Sequence, residues 1–298
     1  MTSSSTSFDQ HLERIGAGDS LSPETIRELA TAPDILPLGM LADAVRRRLQ
    51  GTKATYVRVA FCAFDASFAD GVPVAAREIR ITGHPASLDV AVSAVQAARA
   101  VAGTRTVSGL AWSDVVRYAE GGSTAARVLG GLREAGLDAL AELPLDAMDD
   151  ADEVIGRLQQ AGFGRLRLTV DKIAGAQRIE SFLRVAEWQR RLGCIAAINP
   201  LPLSLNAFRP TTGYEDVKMV AVARLAAPEV PHIQVDWQRY GPKLAQVALT
   251  FGADDIDGVS ALDDAPEGRR RAPIEEIRRN IQAAGYEATE RDGRFASM

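Results

Sequence analysis

Hydrophobic residues along the chain follow two patterns, one typical of β-strands and one typical of helices. The clearest change from one pattern to the other lies in Arg224–Val259. Within this stretch Pro231–Trp237 has the composition of a β-strand, whereas Pro242–Phe251 repeats apolar residues with a helical period. A second strand-like run follows and carries a group of aspartates. A helix between two strands is the unit of a parallel sheet, so the stretch predicts an α/β fold.

The same alternation extends upstream, where strand-like and helical runs follow one another with short polar turns between them. Repeated units of this kind indicate parallel strands joined by right-handed crossovers, and we expect a partial or complete parallel (β/α) barrel. The predicted strands are Thr55–Phe61, Glu78–Gly83, Arg105–Ala111, Leu137–Leu143, Arg165–Val170 and Cys194–Asn199. The predicted helices are Ser87–Ala102, Thr124–Ala135, Ala151–Ala161, Gln177–Leu192, Thr211–Ala226, Pro242–Phe251 and Ile274–Ala284.

Helical patterns also precede the first strand. A short helix is expected in Phe8–Gly16, Ser22 is a good N-cap for a second, and Leu38–Leu49 repeats apolar residues with the helical period. We therefore divide the chain into a tail with helices over residues 1–50 and a barrel with a C-terminal region over residues 51–298, in a single structural unit.

Composition narrows the class of protein. Among 298 residues, 46% are hydrophobic and 24% are charged, as in an ordinary globular protein. A net charge of -5 gives no indication of a basic surface that would bind nucleic acid. No apolar run approaches the ~20 residues of a membrane span and no secretory signal is evident, so we expect a cytoplasmic protein. Its cysteines, Cys62 and Cys194, are too few for a disulfide framework.

Polar residues at the carboxyl ends of the predicted strands are the candidates for chemistry, because barrel enzymes place their sites there. The candidates for catalysis are Glu142, His84, Asp171 and Lys172. The candidates for ligand contact are Trp112, Asn199, His232, Asp236, Asp254 and Asp257.

Each candidate has a structural alternative. His84 precedes Pro85 and could serve only to turn the chain, and Trp112 and Asn199 could be packing and turn residues. Asp171 and Lys172 could be solvated loop charges. The aspartates of residues 254–257 could bind a hard cation, but the glycines beside them favour a turn cluster, and we expect no metal.

Several motifs spread over Leu12 to Phe295 match one known family. The matching segments are LSPE (21–24), LGMLADAVRRR (38–48), ITGHP (81–85), LREAGLDAL (132–140), PTTGYEDVKMVAVARL (210–225), VPHIQVDW (230–237), FGADDIDGV (251–259) and AGYEATERDGRF (284–295). In these segments the chain resembles the radical S-adenosylmethionine family that includes aminofutalosine synthase, dehypoxanthine futalosine cyclase and the deazaflavin chromophore synthase. The resemblance implies a partial or complete barrel of the radical-SAM type.

The chain departs from this family in the loop after the first strand. There the family carries C-x3-C-x2-C, which ligates three irons of a four-iron, four-sulfur cluster whose fourth iron chelates S-adenosylmethionine. Cys62 stands in the place of the third cysteine, and Thr55 and Val59 stand where the other two would be. Because a cluster needs several thiolates, we expect neither an iron–sulfur cluster nor S-adenosylmethionine as cofactor.

The residues that the family's pattern assigns to substrate binding are better preserved than the cluster motif. The resemblance implies that Glu142, His232, Asp254 and Asp257 help to hold a nucleoside or tyrosine-derived substrate. We therefore predict a cluster-less radical-SAM-like protein that binds a small polar or nucleoside-like ligand, in menaquinone biosynthesis by the futalosine route or in secondary metabolism. It would act alone, as a homo-oligomer or as the partner of an active paralogue.

Two other interpretations stay open. One is a non-radical acid–base enzyme, a lyase or transferase acting on a small metabolite, with Glu142, His84 or Asp171 as base and Lys172 as electrophilic partner. The other is a radical enzyme with an unusual cluster site.

Overall fold

Parallel strands surrounded by helices make up the protein, and a computed structural model describes residues 2–68, 72–170, 175–202, 213–264 and 273–298. The strands are Lys53–Ala63 (β1), Glu78–Thr82 (β2), Thr106–Ala111 (β3), Ala139–Pro144 (β4), Leu166–Val170 (β5), Ile195–Pro200 (β6), His232–Asp236 (β7), Asp255–Ser260 (β8) and Glu287–Glu290 (β9). The helices are Thr2–Ala17 (α1), Pro23–Thr31 (α2), Leu36–Gln50 (α3), Leu88–Ala102 (α4), Trp112–Glu120 (α5), Ala125–Ala135 (α6), Ala151–Gln160 (α7), Gly175–Leu192 (α8), Tyr214–Ala226 (α9), Trp237–Leu249 (α10) and Pro273–Ala283 (α11).

β1 closes the sheet into a barrel because it is long enough to have partners along both edges. One edge pairs with β8, from Thr55 to Val59. On the other edge the second half of β1 pairs with β2, and the first half pairs with β9. Among the described residues, β1 to β8 form a closed parallel barrel of eight strands, and β9 is an added strand below β2. The predicted parallel barrel is confirmed, and it is complete.

The apolar core lies between the strands and the helices rather than inside the barrel. Every residue of β3 and of β5 is buried, because one face of each strand meets the helical layer and the other faces the barrel interior. On β6, for example, Ile198 belongs to the apolar core, while its neighbour Asn199 lines a cavity within the barrel. Polar and charged side chains therefore occupy much of the interior.

The N-terminal helices cover one side of the barrel. α9 packs against β6 and β7 on its inner side and against α2 and α3 on its outer side, so all its residues from Asp216 to Ala226 are buried. A helix covered on both sides needs no polar face, which explains its nearly continuous apolar sequence. As predicted, Ser22 caps α2, and its hydroxyl accepts a hydrogen bond from the Thr25 amide at 3.2 Å.

Four elements differ clearly from the sequence-based assignment. α1 begins at Thr2 rather than Phe8, α10 begins at Trp237 rather than Pro242, α5 occupies a segment predicted as a loop, and β9 was not predicted. α5 begins directly after β3, so the chain has no separate loop there. Within the described part of the chain, no helix is both long and apolar enough to cross a membrane.

The residues after β9, Arg291–Met298, form a C-terminal arm that turns beneath the barrel. Arg291 is fully buried, and an isolated antiparallel bridge joins it to Ser297. Between them Gly293 approaches the start of β3 so closely that an added Cβ would lie 2.5 Å from the Cβ of Thr106 and 3.0 Å from a carboxylate oxygen of Glu78. Only glycine fits at this position without displacing the arm or the strands.

Replacing Gly293 with alanine is therefore expected to destabilise the protein by about 1–3 kcal/mol, the usual cost of overpacking a tight contact. The free energy of unfolding from urea titration measures this. Gly164→Ala is the matched control, because nothing lies within 4 Å of a Cβ added there. Equal stability of the two variants would contradict the close packing of the arm.

Candidate functional site

Charged side chains fill the barrel interior in two layers. The lower layer is built on Asp255 of β8, which is fully buried. Arg291 donates to both of its carboxylate oxygens, Nε at 2.5 Å and Nη2 at 2.6 Å. Thr55 Oγ1 and Gln234 Nε2 complete the set, at 2.6 and 2.7 Å from the two oxygens. Donors on both oxygens hold this carboxylate in a fixed position.

The upper layer is built on Glu78 of β2 and Asp257 of β8. Arg80 bridges the two acids, with its Nη2 at 2.7 Å from Glu78 Oε1 and 2.8 Å from Asp257 Oδ1. Arg167 of β5 donates from Nη1 to both oxygens of Glu78, at 3.0 and 3.2 Å. The Ser108 hydroxyl donates to Glu78 at 2.5 Å. Three guanidinium groups thus face three carboxylates in the described interior, and the charges balance.

The pKa values of the interior acids reflect this balance. Burial alone would raise the pKa of Glu78, but the charges of Arg167 and Arg80 outweigh it and hold the pKa below its ordinary value. The pKa of Asp257 is lowered in the same way, against the effect of burial, by Arg80 and Arg167. Both acids are therefore ionised across the physiological range and serve as counterions.

A cavity of about 590 Å³ lies above this layer, at the carboxyl ends of the strands. Arg80, Arg167 and Asp257 form its floor, and the Phe61 ring, which is 37% exposed, lies on one wall. The cavity is open at the mouth of the barrel, where small-molecule sites of this fold are found.

Two buried polar atoms in this cavity have no hydrogen-bond partner in the described structure. They are the donor Nη2 of Arg167 and the acceptor Oδ1 of Asn199. The two residues are 3% and 4% exposed and lie on neighbouring strands, where Thr169, two positions after Arg167, pairs with Asn199. An unpaired buried polar atom costs about 1–3 kcal/mol, so these two mark a place for a partner that is not part of the chain.

The mouth of the cavity carries titratable groups. Glu142 and His84 line it, and a carboxylate oxygen of Asp114 lies 3.1 Å from Nδ1 of His84. Asp236 also lines it and caps α10 by accepting from the amides of Gln238 and Arg239, each at 2.9 Å. Burial, together with the charge of Asp257, raises the pKa of Asp236 above its ordinary value.

Five of the predicted site residues therefore share one cavity. They are Glu142, His84, Asn199, Asp236 and Asp257. Asp171 and Lys172 lie outside the described residues.

Three others do not line this cavity. Trp112 is buried at the start of α5, where it lines a separate hollow outside the barrel. His232 and Asp254 lie at the opposite end, because His232 begins β7 and Asp254 immediately precedes β8. The structure therefore does not bring these three residues to the cavity that Asp257 lines, and for His232 and Asp254 the reason is that a barrel strand separates its first residue from its last.

At that lower end Asp254 is buried and accepts from Arg224 Nη2 and from the Ile233 amide, and His232 Nδ1 lies 2.6 Å from its second oxygen. Burial would lower the pKa of His232, but the Asp254 carboxylate raises it overall. The imidazole stacks on Phe295 of the C-terminal arm with ring centroids 4.9 Å apart. These contacts close the bottom of the barrel.

The two cysteines lie far apart in the barrel, Cys62 on β1 and Cys194 before β6, and neither lines the cavity. Cys62 is 5% exposed and packs in the apolar core, although its neighbour Phe61 faces the cavity. Burial raises the pKa of the Cys62 thiol. Cys194 immediately precedes β6, at the other end of the barrel, and burial raises the pKa of its thiol too.

Sequence reasoning missed the interior charges, although a pattern for them exists. Polar residues recur two positions apart within otherwise apolar strands, which puts each pair on the same face. This spacing relates Glu78 to Arg80 on β2, Arg167 to Thr169 on β5, Gln234 to Asp236 on β7 and Asp255 to Asp257 on β8.

Comparison with known proteins gives one family match, the CofH/MqnC C-terminal region, over residues 204–297. The 5-amino-6-(D-ribitylamino)uracil–L-tyrosine 4-hydroxyphenyl transferase of Archaeoglobus fulgidus is 27% identical over 85% of this chain and 91% of its own length. The cyclic dehypoxanthine futalosine synthase of Streptomyces coelicolor is 25% identical over 83% and 77%. Among solved structures, the FeFe-hydrogenase maturase HydG of Carboxydothermus hydrogenoformans superposes with a TM-score of 0.66 at 12% identity, over 96% of this chain and 80% of that one.

Replacing Glu78 with glutamine is expected to destabilise the protein by about 3–5 kcal/mol, because Arg80 and Arg167 then lose a buried counterion. Urea unfolding measures this. Glu142→Gln is the matched control: its carboxylate is exposed at the mouth of the same cavity, and the change should stay within about 0.5 kcal/mol. A Glu78→Gln protein as stable as this control would show that the interior charges are not coupled.

Proposed function

Since the chain is related by sequence and fold to the radical S-adenosylmethionine family of aminofutalosine synthase, dehypoxanthine futalosine cyclase and the deazaflavin chromophore synthase, we propose that it is a cluster-less member of that family. It binds a small polar or nucleoside-like ligand in the cavity at the barrel mouth. Its role belongs to menaquinone biosynthesis by the futalosine route or to related secondary metabolism.

The observation that carries this proposal is the pair of unpartnered atoms on the cavity wall. Arg167 Nη2 offers a hydrogen-bond donor and Asn199 Oδ1 an acceptor from adjacent strands. Arg167 is held by Glu78, so it cannot turn away to find another partner. Burying these two atoms without partners costs free energy when the chain folds. A ligand that forms a hydrogen bond with each atom offsets that cost.

The chemistry of this pair favours a planar group with a carbonyl oxygen next to an N–H. The exposed ring of Phe61 on the same cavity gives such a group a surface for stacking. A volume of about 590 Å³ suits a nucleoside-sized molecule. The relative from A. fulgidus is named for a ribityl-substituted uracil and for L-tyrosine, and a uracil ring presents this edge.

The cysteines support the absence of a cluster. In the family pattern three thiolates converge after the first strand, but this chain has two cysteines, one in the apolar core beside β1 and one at the other end of the barrel. Raised thiol pKa values disfavour the thiolate form that iron requires. These residues do not fit the cluster, and we assign no step to it or to S-adenosylmethionine.

We infer that a binding protein of this kind would work with an active paralogue. It would hold or deliver a ligand that the cluster-bearing enzyme produces or consumes, in a complex or as a homo-oligomer. Co-purification of a paralogue that carries the three cysteines would support this part of the proposal, and its consistent absence from affinity preparations would oppose it.

The alternative is a non-radical acid–base enzyme on the same barrel. It is favoured by the titratable groups at the mouth, where His84 lies beside Asp114 and Asp236 has a raised pKa. Both functions use one cavity, so turnover of a bound ligand separates them. A ligand that binds and is recovered unchanged indicates the binding protein.

Asn199→Leu is expected to weaken ligand binding while leaving the free protein at least as stable as the wild type. Leucine fills the same space and removes a buried acceptor that has no partner, whereas the ligand loses a hydrogen bond. Thermal shifts with 5-amino-6-(D-ribitylamino)uracil, L-tyrosine and adenosine measure this. For a ligand that binds, we expect a weakening of about 10- to 100-fold in Kd.

Asn280→Leu on α11 is the matched control, because Asn280 bonds only locally, to the Glu276 carbonyl at 2.8 Å, and does not line the cavity. Binding that survives Asn199→Leu would remove the proposed site. A fall in stability of the free Asn199→Leu protein would show instead that Asn199 serves the fold.

Anaerobic reconstitution with iron and sulfide is expected to leave the protein without a stable chromophore. Iron content per chain and absorbance at the cluster's charge-transfer band measure the outcome, with Cys62→Ser as the control for adventitious binding. Uptake of about four irons per chain that depends on Cys62 would overturn the cluster-less assignment and favour a radical enzyme with an unusual site.

A further inference from the structure

The turn that carries His84 is held rigidly at the mouth of the cavity. Gly83 adopts a φ of 90°, and a Cβ there would lie 2.9 Å from the ring of Phe64, so the turn needs glycine. The turn is then tied to α5, where Tyr118 Oη donates to the Pro85 carbonyl at 2.8 Å and Arg117 Nη2 donates to the same oxygen at 3.0 Å. The position of the imidazole is therefore set before any ligand arrives.

Asp114, the partner of His84, is itself fixed. It is 2% exposed, its Oδ2 accepts from the Ala111 amide at 3.0 Å, and its Oδ1 accepts from Arg117 Nη2 at 2.6 Å. Its two oxygens lie 3.1 and 3.4 Å from Nδ1 of His84. A carboxylate can only accept from this nitrogen, so the arrangement favours the imidazole with its proton on Nδ1.

The other ring nitrogen is left free. Nε2 of His84 has no hydrogen-bond partner among the described residues, the side chain is 71% exposed, and the residue lines the cavity. We propose that His84 and Asp114 form a dyad in which His84 Nε2 accepts a proton from the bound ligand and Asp114 positions the imidazole. Asp114 acts through the imidazole of His84 and is a positioning residue.

The step transfers one proton and involves no oxidant. A ligand O–H or N–H bond breaks, its electron pair stays on the ligand, and the proton joins Nε2. The resulting imidazolium is stabilised by the Asp114 carboxylate, and the proton later returns to the ligand or to water. The ligand class is a molecule with an acidic hydroxyl, amide or imide, which matches the planar edge that Arg167 and Asn199 favour. The dyad adds a proton-transfer role to the proposed ligand site, and it rests on the proposed function because it needs a ligand bound there.

The tautomer of His84 in the free protein tests the dyad without any ligand. The chain has three histidines, so long-range ¹H–¹⁵N correlation of ¹⁵N-histidine protein resolves them, and His84→Gln assigns the signal. We expect the neutral wild-type ring to carry its proton on Nδ1. Asp114→Asn should shift the proton to Nε2, because the asparagine amide can donate to Nδ1 where the carboxylate could only accept.

Asp138→Asn is the matched control, since Asp138 is a half-buried ion-paired acid at the other end of the barrel. It should leave the His84 tautomer unchanged. A wild-type His84 protonated on Nε2 would overturn the dyad even if Asp114→Asn failed to fold, and so would an unchanged tautomer in Asp114→Asn.

Carbethoxylation by diethyl pyrocarbonate provides a second measurement, because the reagent attacks an unprotonated imidazole nitrogen. Its rate at His84, read by peptide mass spectrometry with His11 as internal reference, should fall several-fold in Asp114→Asn. An unchanged rate would overturn the role of Asp114. Neither result depends on Asn199, so loss of the dyad and loss of the ligand site are distinguishable.

Discussion

Balanced charge inside the barrel is the constraint on which the structure depends. A closed eight-stranded barrel with its apolar core outside the strands must fill its interior with side chains, and here arginines and acids fill it. Each acid taken alone would be expensive to bury, and each guanidinium equally so. Together they satisfy one another, so no single member can be changed without stranding its partner. The network therefore fixes geometry more than it adds stability.

That rigidity extends from the bottom of the barrel to the mouth. The C-terminal arm brings Arg291 to Asp255, and the same arm places Gly293 against Glu78. Glu78 holds Arg167, which presents its remaining N–H to the cavity. The ligand site is thus supported by a segment at the far end of the molecule. Charge-assisted hydrogen bonds hold each layer together, and the packing of Gly293 against Glu78 joins the arm to the upper layer.

Much of this architecture follows from local patterns in the sequence. Alternating strands and helices can be recognised because most strands bury both faces and most helices bury one, and the parallel order follows from the connections. Glu142, His84 and Asn199 were found because strand ends in a barrel converge on one mouth. The complete closure was not evident, since it depends on β1 pairing with three strands distant in sequence.

The position of His232 away from the cavity also has a physical explanation. His232 and Asp257 belong to successive strands in the sequence, β7 and β8, but they lie towards opposite ends of the barrel. Proximity in sequence therefore does not predict proximity in space here. The arginines of the interior escaped notice because an arginine in a strand usually lies on a solvated face. Only the pairing of Arg80 and Arg167 with acids from other strands makes their burial reasonable, and those pairings are set by the tertiary fold.

The docking of the C-terminal arm also bears on how the barrel folds. Thr55, Asp255 and Arg291 meet in one hydrogen-bonded group although roughly 200 residues separate the first two, so the group cannot form from local contacts. During synthesis the first strand must wait for the last one, and the interior acids remain solvated until then. Closure of the barrel and neutralisation of its interior are therefore expected to be a single late event, reached after most helices have formed.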